Sequence, residues 1–96
     1  MYKMLVFLKK TDEEKIPEHF KNFTVKYLSA IAGKEIIAGK IESSILLDTK
    51  YTHFCEITAE SKDKMDELMS SGKGRELNKD FMEFHEFVDV IFVDFT

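Results

Sequence analysis

The sequence predicts an α+β domain in which strands and helical regions follow the order β-α-β-β-α-β. Two observations carry this prediction. Apolar side chains alternate through residues 2–9 and again through residues 87–95, which is the period of a β-strand. Between them, apolar side chains recur every three or four residues over positions 16–31, which is the period of a helix. The 96 residues are enough for a single domain, spanning 1–96, with a modest core.

The first helix is predicted to begin near residue 15 and to run to about residue 31. Thr11 or Asp12 supplies a capping side chain, and Pro17 is tolerated only in the first turn. Gly33 ends the helix because glycine readily takes the left-handed conformation after a last turn. The predicted inner face consists of Ile16, Phe20, Phe23, Tyr27 and Ile31.

The middle of the chain predicts a β-hairpin. Residues 35–47 are predicted to be extended, with Gly39 marking a bulge or bend. A turn at residues 47–50 then leads into a third strand over residues 51–59. The tight connection makes the two strands antiparallel neighbours.

The last third predicts two helical segments and a final strand. Ser61 is expected to cap a helix over residues 62–70, a break follows at residues 70–74, and a further helix covers residues 75–84. The complete order is ferredoxin-like. It predicts a four-stranded antiparallel sheet with strands one and four in the middle, strands three and two outside, and both helical regions on one face.

The apolar residues on the open face of this sheet indicate that a second copy of the chain covers it. The final strand is apolar on both sides, and a chain of this length has helices for only one of them. Leaving large apolar side chains in water forgoes about 1.5–3 kcal/mol each, and it creates a larger patch than monomers usually expose. We therefore expect a homodimer through the open sheet face. The alternative is a monomer with an unusually apolar face.

Composition and charge exclude several classes of partner. The formal net charge is −4, and the sequence has no stripe of Lys and Arg with interleaved aromatics. Nucleic-acid binding is therefore not predicted. No apolar run is as long as a membrane span, which needs about 20 residues. The sequence also lacks a basic amphipathic helix of the kind that binds membrane surfaces. A single cysteine, Cys55, forms no intrachain disulfide, and the first residues do not read as a signal peptide. We predict a cytoplasmic protein without a cofactor.

Three segments, taken in order, resemble the EthD-like family of the dimeric α+β barrel superfamily. They are YKMLVFLKK at residues 2–10, YTHFCEITAES at 51–61 and MSSGKGRELNKDFMEF at 69–84. The resemblance implies a homodimer whose two sheets form a barrel, with a pocket between each sheet and its own helices. It also implies binding of a small apolar organic compound, with cofactor-independent oxygenase or isomerase chemistry as one reading. The alternative is a non-catalytic homodimeric module with a structural or regulatory role.

One departure from the family separates fold from activity. Members often carry a histidine midway along the first helix, followed by a proline. Those positions resemble Thr24 and Lys26 here. The fold implied by the resemblance transfers without that histidine, whereas the activity does not.

Two residues are candidate acid–base groups, Glu56 and His53. A carboxylate in an apolar strand needs a partner or has a raised pKa, so Glu56 is either catalytic or part of an ion pair. His53 alternates onto one strand face with Tyr51 and Cys55, and it is either a proton-transfer group or a packing position. Cys55 itself is expected to act as a small apolar side chain.

Hydroxyl groups are the candidate ligand-orienting groups. Thr24 and Tyr27 lie on or beside the inner face of the first helix, and Tyr51 begins the third strand. In a pocket between helix and sheet they would orient a small apolar ligand, and without a pocket they are core. His19 is either a pocket base or a solvated helix residue. His85 lacks a second histidine at metal-binding spacing, so no metal site is predicted.

Overall fold

Four antiparallel strands form one sheet in the computed structural model, which describes residues 1–42 and 49–95. The strands are β1 (Tyr2–Lys9), β2 (Gly39–Lys40), β3 (Tyr51–Ala59) and β4 (Val88–Asp94), in the order β2-β3-β1-β4. The helices pack against one face, where they bury the side chains of Met4, Val6 and Leu8. The predicted ferredoxin-like α+β class is confirmed.

The predicted strand order is wrong, because β4 lies at an edge. β1 pairs with β3 on one side and with β4 on the other, so β1 and β3 are the central strands. Apolar residues on both sides of β4 suggested a central position, yet Ile91 is 46 % exposed and Phe92 is 47 % exposed. Asp89 and Asp94 fit this edge position, since charged side chains commonly interrupt edge strands.

The first helical run has three consecutive parts. They are α1 (Lys15–His19), a π-helical turn (Phe20–Thr24, the π turn) and α2 (Val25–Ala32). Gly33 ends the run with a left-handed φ of 69°, as predicted. The predicted cap is wrong: Glu14 occupies the N-cap without a side-chain bond, and the Thr11 hydroxyl instead accepts a hydrogen bond from the Glu13 N–H at 3.2 Å.

The π turn changes which side chains face the core. Ile16, Phe20 and Ile31 are buried as predicted, but Phe23 is 53 % exposed and Tyr27 is only partly buried. The π turn adds one residue to the helical turn, so the positions that follow Phe20 are displaced by one. The side chains that fill the core instead are Thr24, Val25 and Leu28.

The second strand is much shorter than predicted. Only Gly39 and Lys40 pair with β3, opposite Phe54 and His53, which confirms the antiparallel pairing. Residues 35–38 form a loop rather than the predicted strand. The rest of the predicted strand from residue 43 onward and the first half of the predicted turn at 47–50 lie outside the described residues.

Two short helices precede β4. Ser61 caps α3 (Lys62–Ser70) as predicted, accepting a hydrogen bond from the Lys64 N–H at 3.2 Å. The next helix, α4 (Gly72–Glu83), begins three residues earlier than predicted. The reason is that Ser71 is extended and caps α4 in turn, accepting from the Gly74 N–H at 3.1 Å. Among the described residues, none of these helices has the length and apolar character needed to cross a membrane.

Candidate functional site

A cleft of about 660 Å³ opens between the first helical run, the following loop and the sheet. Its floor consists of buried side chains, including Leu8, Phe20 and Val25, and exposed residues such as Lys21 form its mouth. We call it the helix–strand cleft. Its lining residues are Leu8, Pro17, Glu18, Phe20, Lys21, Asn22, Val25, Glu35, Ile36, Ile37, Ala38 and His53.

Ser29 holds one wall of the helix–strand cleft in place. Its hydroxyl oxygen accepts a hydrogen bond from the Ile36 N–H at 2.9 Å and donates one to the Val25 carbonyl at 2.9 Å. Both bonds come from one side chain at the end of α2, so the loop of residues 35–38 is fixed against the helix. These two hydrogen bonds therefore hold the loop wall of the cleft against α2.

A register shift in the sheet turns His53 and Tyr51 in opposite directions. His53 pairs with Leu8 and lines the cleft, but the pairing slips between Leu8 and Lys9, so that Tyr51 lies opposite Lys9. The Tyr51 ring then packs on Phe7 on the open face, with ring centroids 4.8 Å apart. The prediction that His53 and Tyr51 share a face is wrong, because such a bulge re-aims the side chains beyond it.

His53 has one polar neighbour on its own strand. Its Nδ1 lies 3.0 Å from the Thr52 hydroxyl oxygen, and either atom can be the donor, depending on the tautomer of the imidazole. The other ring nitrogen, Nε2, takes no hydrogen bond from the residues described. In one tautomer Nε2 accepts a proton and in the other it donates one, so the half-buried ring can act toward a group bound in the cleft.

Cys55 does not supply a second reactive group. It is 2 % exposed and lies among core side chains. Burial raises the pKa of its thiol to about 12, so the thiolate is scarce at neutral pH. The prediction that Cys55 acts as a small apolar side chain fits this position.

Glu56 lies on the opposite face of the sheet from the helix–strand cleft. It pairs with Leu5, and its carboxylate accepts a hydrogen bond from the Lys3 ammonium group at 3.0 Å. This is the ion-pair alternative that the sequence left open for Glu56. The structure does not bring Glu56 and His53 together.

Thr24 and Tyr27 lie outside the lining of the helix–strand cleft. Thr24 is 1 % exposed, and its hydroxyl donates to Asp80 Oδ2 at 2.7 Å. Tyr27 is partly buried and packs against the core. Of the five candidate residues, His53 is therefore the one at the cleft, and the predicted roles of Thr24, Tyr27, Tyr51 and Glu56 stay predictions.

Sequence reasoning missed the polar groups at the cleft mouth. Lys21 and Asn22 lie in the π turn, and Glu35 lies in the loop that was predicted to be a strand. Gly39 was the available signal, since a glycine inside a predicted strand weakens that assignment. No local sequence pattern predicts the π turn that brings Lys21 and Asn22 to the cleft.

Asp89 forms the centre of a charged cluster on the open face. The Tyr51 hydroxyl donates to its Oδ2 at 2.5 Å, and the Lys9 and Lys50 ammonium groups lie 3.4 Å and 3.8 Å from its two oxygens. The hydrogen bond from Tyr51 is the main cause that holds the pKa of Asp89 below its usual value. The same bond raises the pKa of Tyr51.

The lowered pKa of Asp89 makes stability depend on pH. A carboxyl with a lower pKa in the folded state stabilises the fold above its unfolded pKa of about 3.9 and loses that effect as pH falls through the folded value. We expect Asp89→Asn to lower the melting temperature near neutral pH, and this loss should shrink as pH falls below the unfolded value of about 3.9. Asp94→Asn, at the end of the same strand, is the control. A loss from Asp89→Asn that stays constant as the pH is lowered would contradict this account.

Comparisons with solved structures identify the fold. An ethyl tert-butyl ether D (EthD) family protein from Bacillus halodurans superposes with a TM-score of 0.82, at 18 % identity, covering 100 % of this chain and 99 % of that one. The chain has the fold of an EthD family protein. The structural resemblance predicted from the three sequence segments is confirmed.

Other matches agree with the EthD-like fold. A crystal structure of an Arabidopsis thaliana protein matches with a TM-score of 0.65 at 22 % identity, covering 100 % of this chain and 94 % of that one. The solution structure of the same Arabidopsis thaliana protein gives a TM-score of 0.57 at 23 % identity, covering 99 % of this chain and 88 % of that one. No protein-family model matches the sequence, and a search of curated proteins finds no match.

Proposed function

We propose that the chain binds a small organic compound in the helix–strand cleft and that His53 exchanges a proton with it. The observation that carries this proposal is the position of the imidazole. His53 lines a cleft of about 660 Å³, a volume that suits a small-molecule ligand. Its Nδ1 contacts the Thr52 hydroxyl at 3.0 Å, so Nε2 is the nitrogen that would meet the ligand.

The residues that line the helix–strand cleft indicate the chemical character of the ligand. The apolar floor of Leu8, Phe20 and Val25 favours a compact hydrocarbon or aromatic body. Lys21 and Asn22 at the mouth and His53 within the cleft provide polar contacts that would orient it. We infer a mostly apolar compound that carries at least one oxygen-containing group.

The chemistry we propose is proton transfer without a cofactor. His53 would remove a proton from the bound compound and return it elsewhere, as an isomerase-type reaction requires. Removing a proton would also leave an electron-rich anion, which is the form that a cofactor-independent oxygenase presents to oxygen. If His53 holds the compound without reacting, the chain is a binding protein.

The cytoplasmic location stays a prediction.

A thermal-shift panel of aromatic and quinone-like compounds tests this proposal. We expect at least one compound to raise the melting temperature of the wild type, because ligands that bind only the folded state stabilise it. His53→Gln should reduce that shift by at least about half at the same compound concentration. His85→Gln should leave the shift unchanged, since His85 is exposed and bonds the Met82 carbonyl instead.

Two results would contradict the proposal. In the first, no compound in the panel changes the melting temperature, in which case the non-catalytic module becomes the preferred function. In the second, a compound stabilises the wild type and His53→Gln equally, which separates binding from the imidazole. Turnover of a stabilising compound by the wild type and not by His53→Gln would favour catalysis over binding.

We also propose that the open face pairs with the same face of a second copy. Leu5, Phe7, Phe54 and Val93 lie there with part of their surface exposed, and Phe95 is 54 % exposed. The face carries its own ion pairs, between Lys3 and Glu56 and between Lys9 and Asp89, so these charges already have partners before association. An apolar face whose charges are paired favours a two-fold interface.

Light scattering after size exclusion tests the homodimer. We expect a mass twice that of the 11.2 kDa chain at micromolar concentration. Ile91→Lys, in the exposed part of the face, should weaken the dimer at least about tenfold because it places an unpaired charge in an apolar interface. Met82→Lys is the control, since Met82 is 70 % exposed on α4. A wild-type monomer at these concentrations would rule the interface out.

A further inference from the structure

The π turn is the unusual element of the first helical run. The Val25 N–H bonds the Phe20 carbonyl, five residues back, in place of the four residues of an α-helix. Turns of this kind are rare and commonly occur at functional sites. Here the turn is one residue longer than an α turn, and something in the surrounding structure has to favour it over the regular geometry.

The π turn allows His19 and Thr24 to reach the same carboxylate. In an α-helix each residue advances about 100°, so two residues five apart would point about 140° away from each other. In this structure the His19 Nε2–H donates to Asp80 Oδ1 at 2.5 Å, and the Thr24 hydroxyl donates to Asp80 Oδ2 at 2.7 Å. His19 immediately precedes the π turn and Thr24 is its last residue, and one carboxylate joins their side chains.

Asp80 is placed to make this bridge strong. It lies on α4 and is 7 % exposed, so each of its oxygens requires a hydrogen-bond donor. The His19 ring also stacks on Phe84, with centroids 3.9 Å apart, and on Phe23 at 5.1 Å. His19 is thus fixed both by its ring and by its Nε2–H. We call the set of His19, Thr24 and Asp80 the carboxylate clamp.

The other side of the same turn forms the wall of the helix–strand cleft. Phe20, Lys21 and Asn22 of the π turn line it, and so do Pro17 and Glu18 of α1. If the π turn closed into an α turn, the residues before it would rotate by about 100° relative to α2. Pro17 and Glu18 would then leave the cleft.

We propose that Asp80 is a positioning residue, which holds the π turn through the carboxylate clamp and thereby sets the shape of the helix–strand cleft. Asp80 acts through His19 and Thr24 and does not itself line the cleft. The consequence for ligand binding rests on the function proposed above. The clamp itself does not, because it concerns the backbone of the ligand-free chain.

Amide hydrogen exchange and NMR chemical shifts of the ligand-free protein test the proposal. Thr24→Val keeps the side-chain shape and removes one bond of the clamp, and Asp80→Leu removes both. We expect both variants to accelerate exchange of the Val25 amide at least about tenfold more than that of the Val6 amide in the central strand. They should also shift the backbone resonances of residues 17–22.

Two further variants separate the clamp from general stability. Asp80→Asn retains an oxygen that accepts from Thr24 and an N–H₂ that can donate to a neutral His19, so it should restore most of the wild-type exchange at Val25. Glu76→Leu, at an exposed position on α4, should leave that exchange unchanged. If Asp80→Leu does not fold, Thr24→Val alone decides the outcome.

The proposal is overturned if Thr24→Val accelerates exchange of Val25 and Val6 by the same factor, or leaves both unchanged. It is also overturned if Asp80→Asn behaves like Asp80→Leu, because hydrogen bonding would then not explain the effect. These outcomes are independent of the compound panel. A panel without any binding compound would defeat the proposed function and leave the exchange result standing.

Discussion

Replacing Gly74 with alanine should destabilise the protein by about 3 kcal/mol or more, which lowers the melting temperature by at least about 12 °C in a domain of this size. A Cβ at this position would overlap the Leu68 carbonyl oxygen and would lie 2.5 Å and 2.6 Å from the carbonyl oxygen and carbon of Met69. These are backbone atoms at the end of α3, so they cannot rotate away as a side chain would. The close approach of α4 to α3 therefore requires glycine. Thermal or chemical unfolding of Gly74→Ala measures the effect.

Gly72 supplies the matched control for Gly74. It lies two residues earlier in α4, and a Cβ there meets no other atom within 4 Å. Gly72→Ala should therefore be neutral or should stabilise the fold by about 0.5–1 kcal/mol, because alanine favours helix over glycine. Equal destabilisation by both substitutions would mean that the two helices do not approach each other as described.

Leu28→Ala should cost about 2–5 kcal/mol, whereas Phe23→Ala should cost about 1 kcal/mol or less. Leu28 is fully buried at 0 % exposure, so its truncation leaves a cavity in the core. Phe23 is 53 % exposed, and the described contact of its ring is the stack on His19. The regular helical pattern of the sequence predicts the opposite order, with Phe23 inside.

Chemical unfolding of these two variants tests the displacement caused by the π turn. The comparison is sharp because a regular α-helix would bury Phe23 and Tyr27, and the π turn buries Thr24 and Leu28 instead. Ala30, on the exposed side of α2, offers a control through Ala30→Ser, which should change stability by about 0.5 kcal/mol or less. A larger loss from Phe23→Ala than from Leu28→Ala would contradict the π turn.

Elements that depend on local chemistry were predicted well. Ser61 marks the start of α3 in the sequence, and the helix has the predicted bounds, Lys62–Ser70. The alternation in Tyr2–Lys9 gave β1 with its full length, and Gly33 gave the end of α2. In each case one or two neighbouring residues decide the conformation, so the sequence alone carries the information.

Features that depend on distant partners were not predicted. The π turn is associated with Asp80, which lies 56 residues from Thr24 in the chain. The position of β4 at the edge and the bulge that separates His53 from Tyr51 both depend on how β1 pairs with its neighbours. For the same reason the sequence predicted His53 and Glu56 together as acid–base groups. The sheet puts the two side chains on opposite faces.

An NMR titration of the isotope-labelled protein with a compound that raises its melting temperature tests the central claim most directly. If the helix–strand cleft is the ligand site, the perturbed resonances will cluster at residues 17–25, at residues 35–38 and at His53. Perturbations confined to the open face, around Phe7, Phe54 and Ile91, would show that the compound binds elsewhere and that the cleft is not the site.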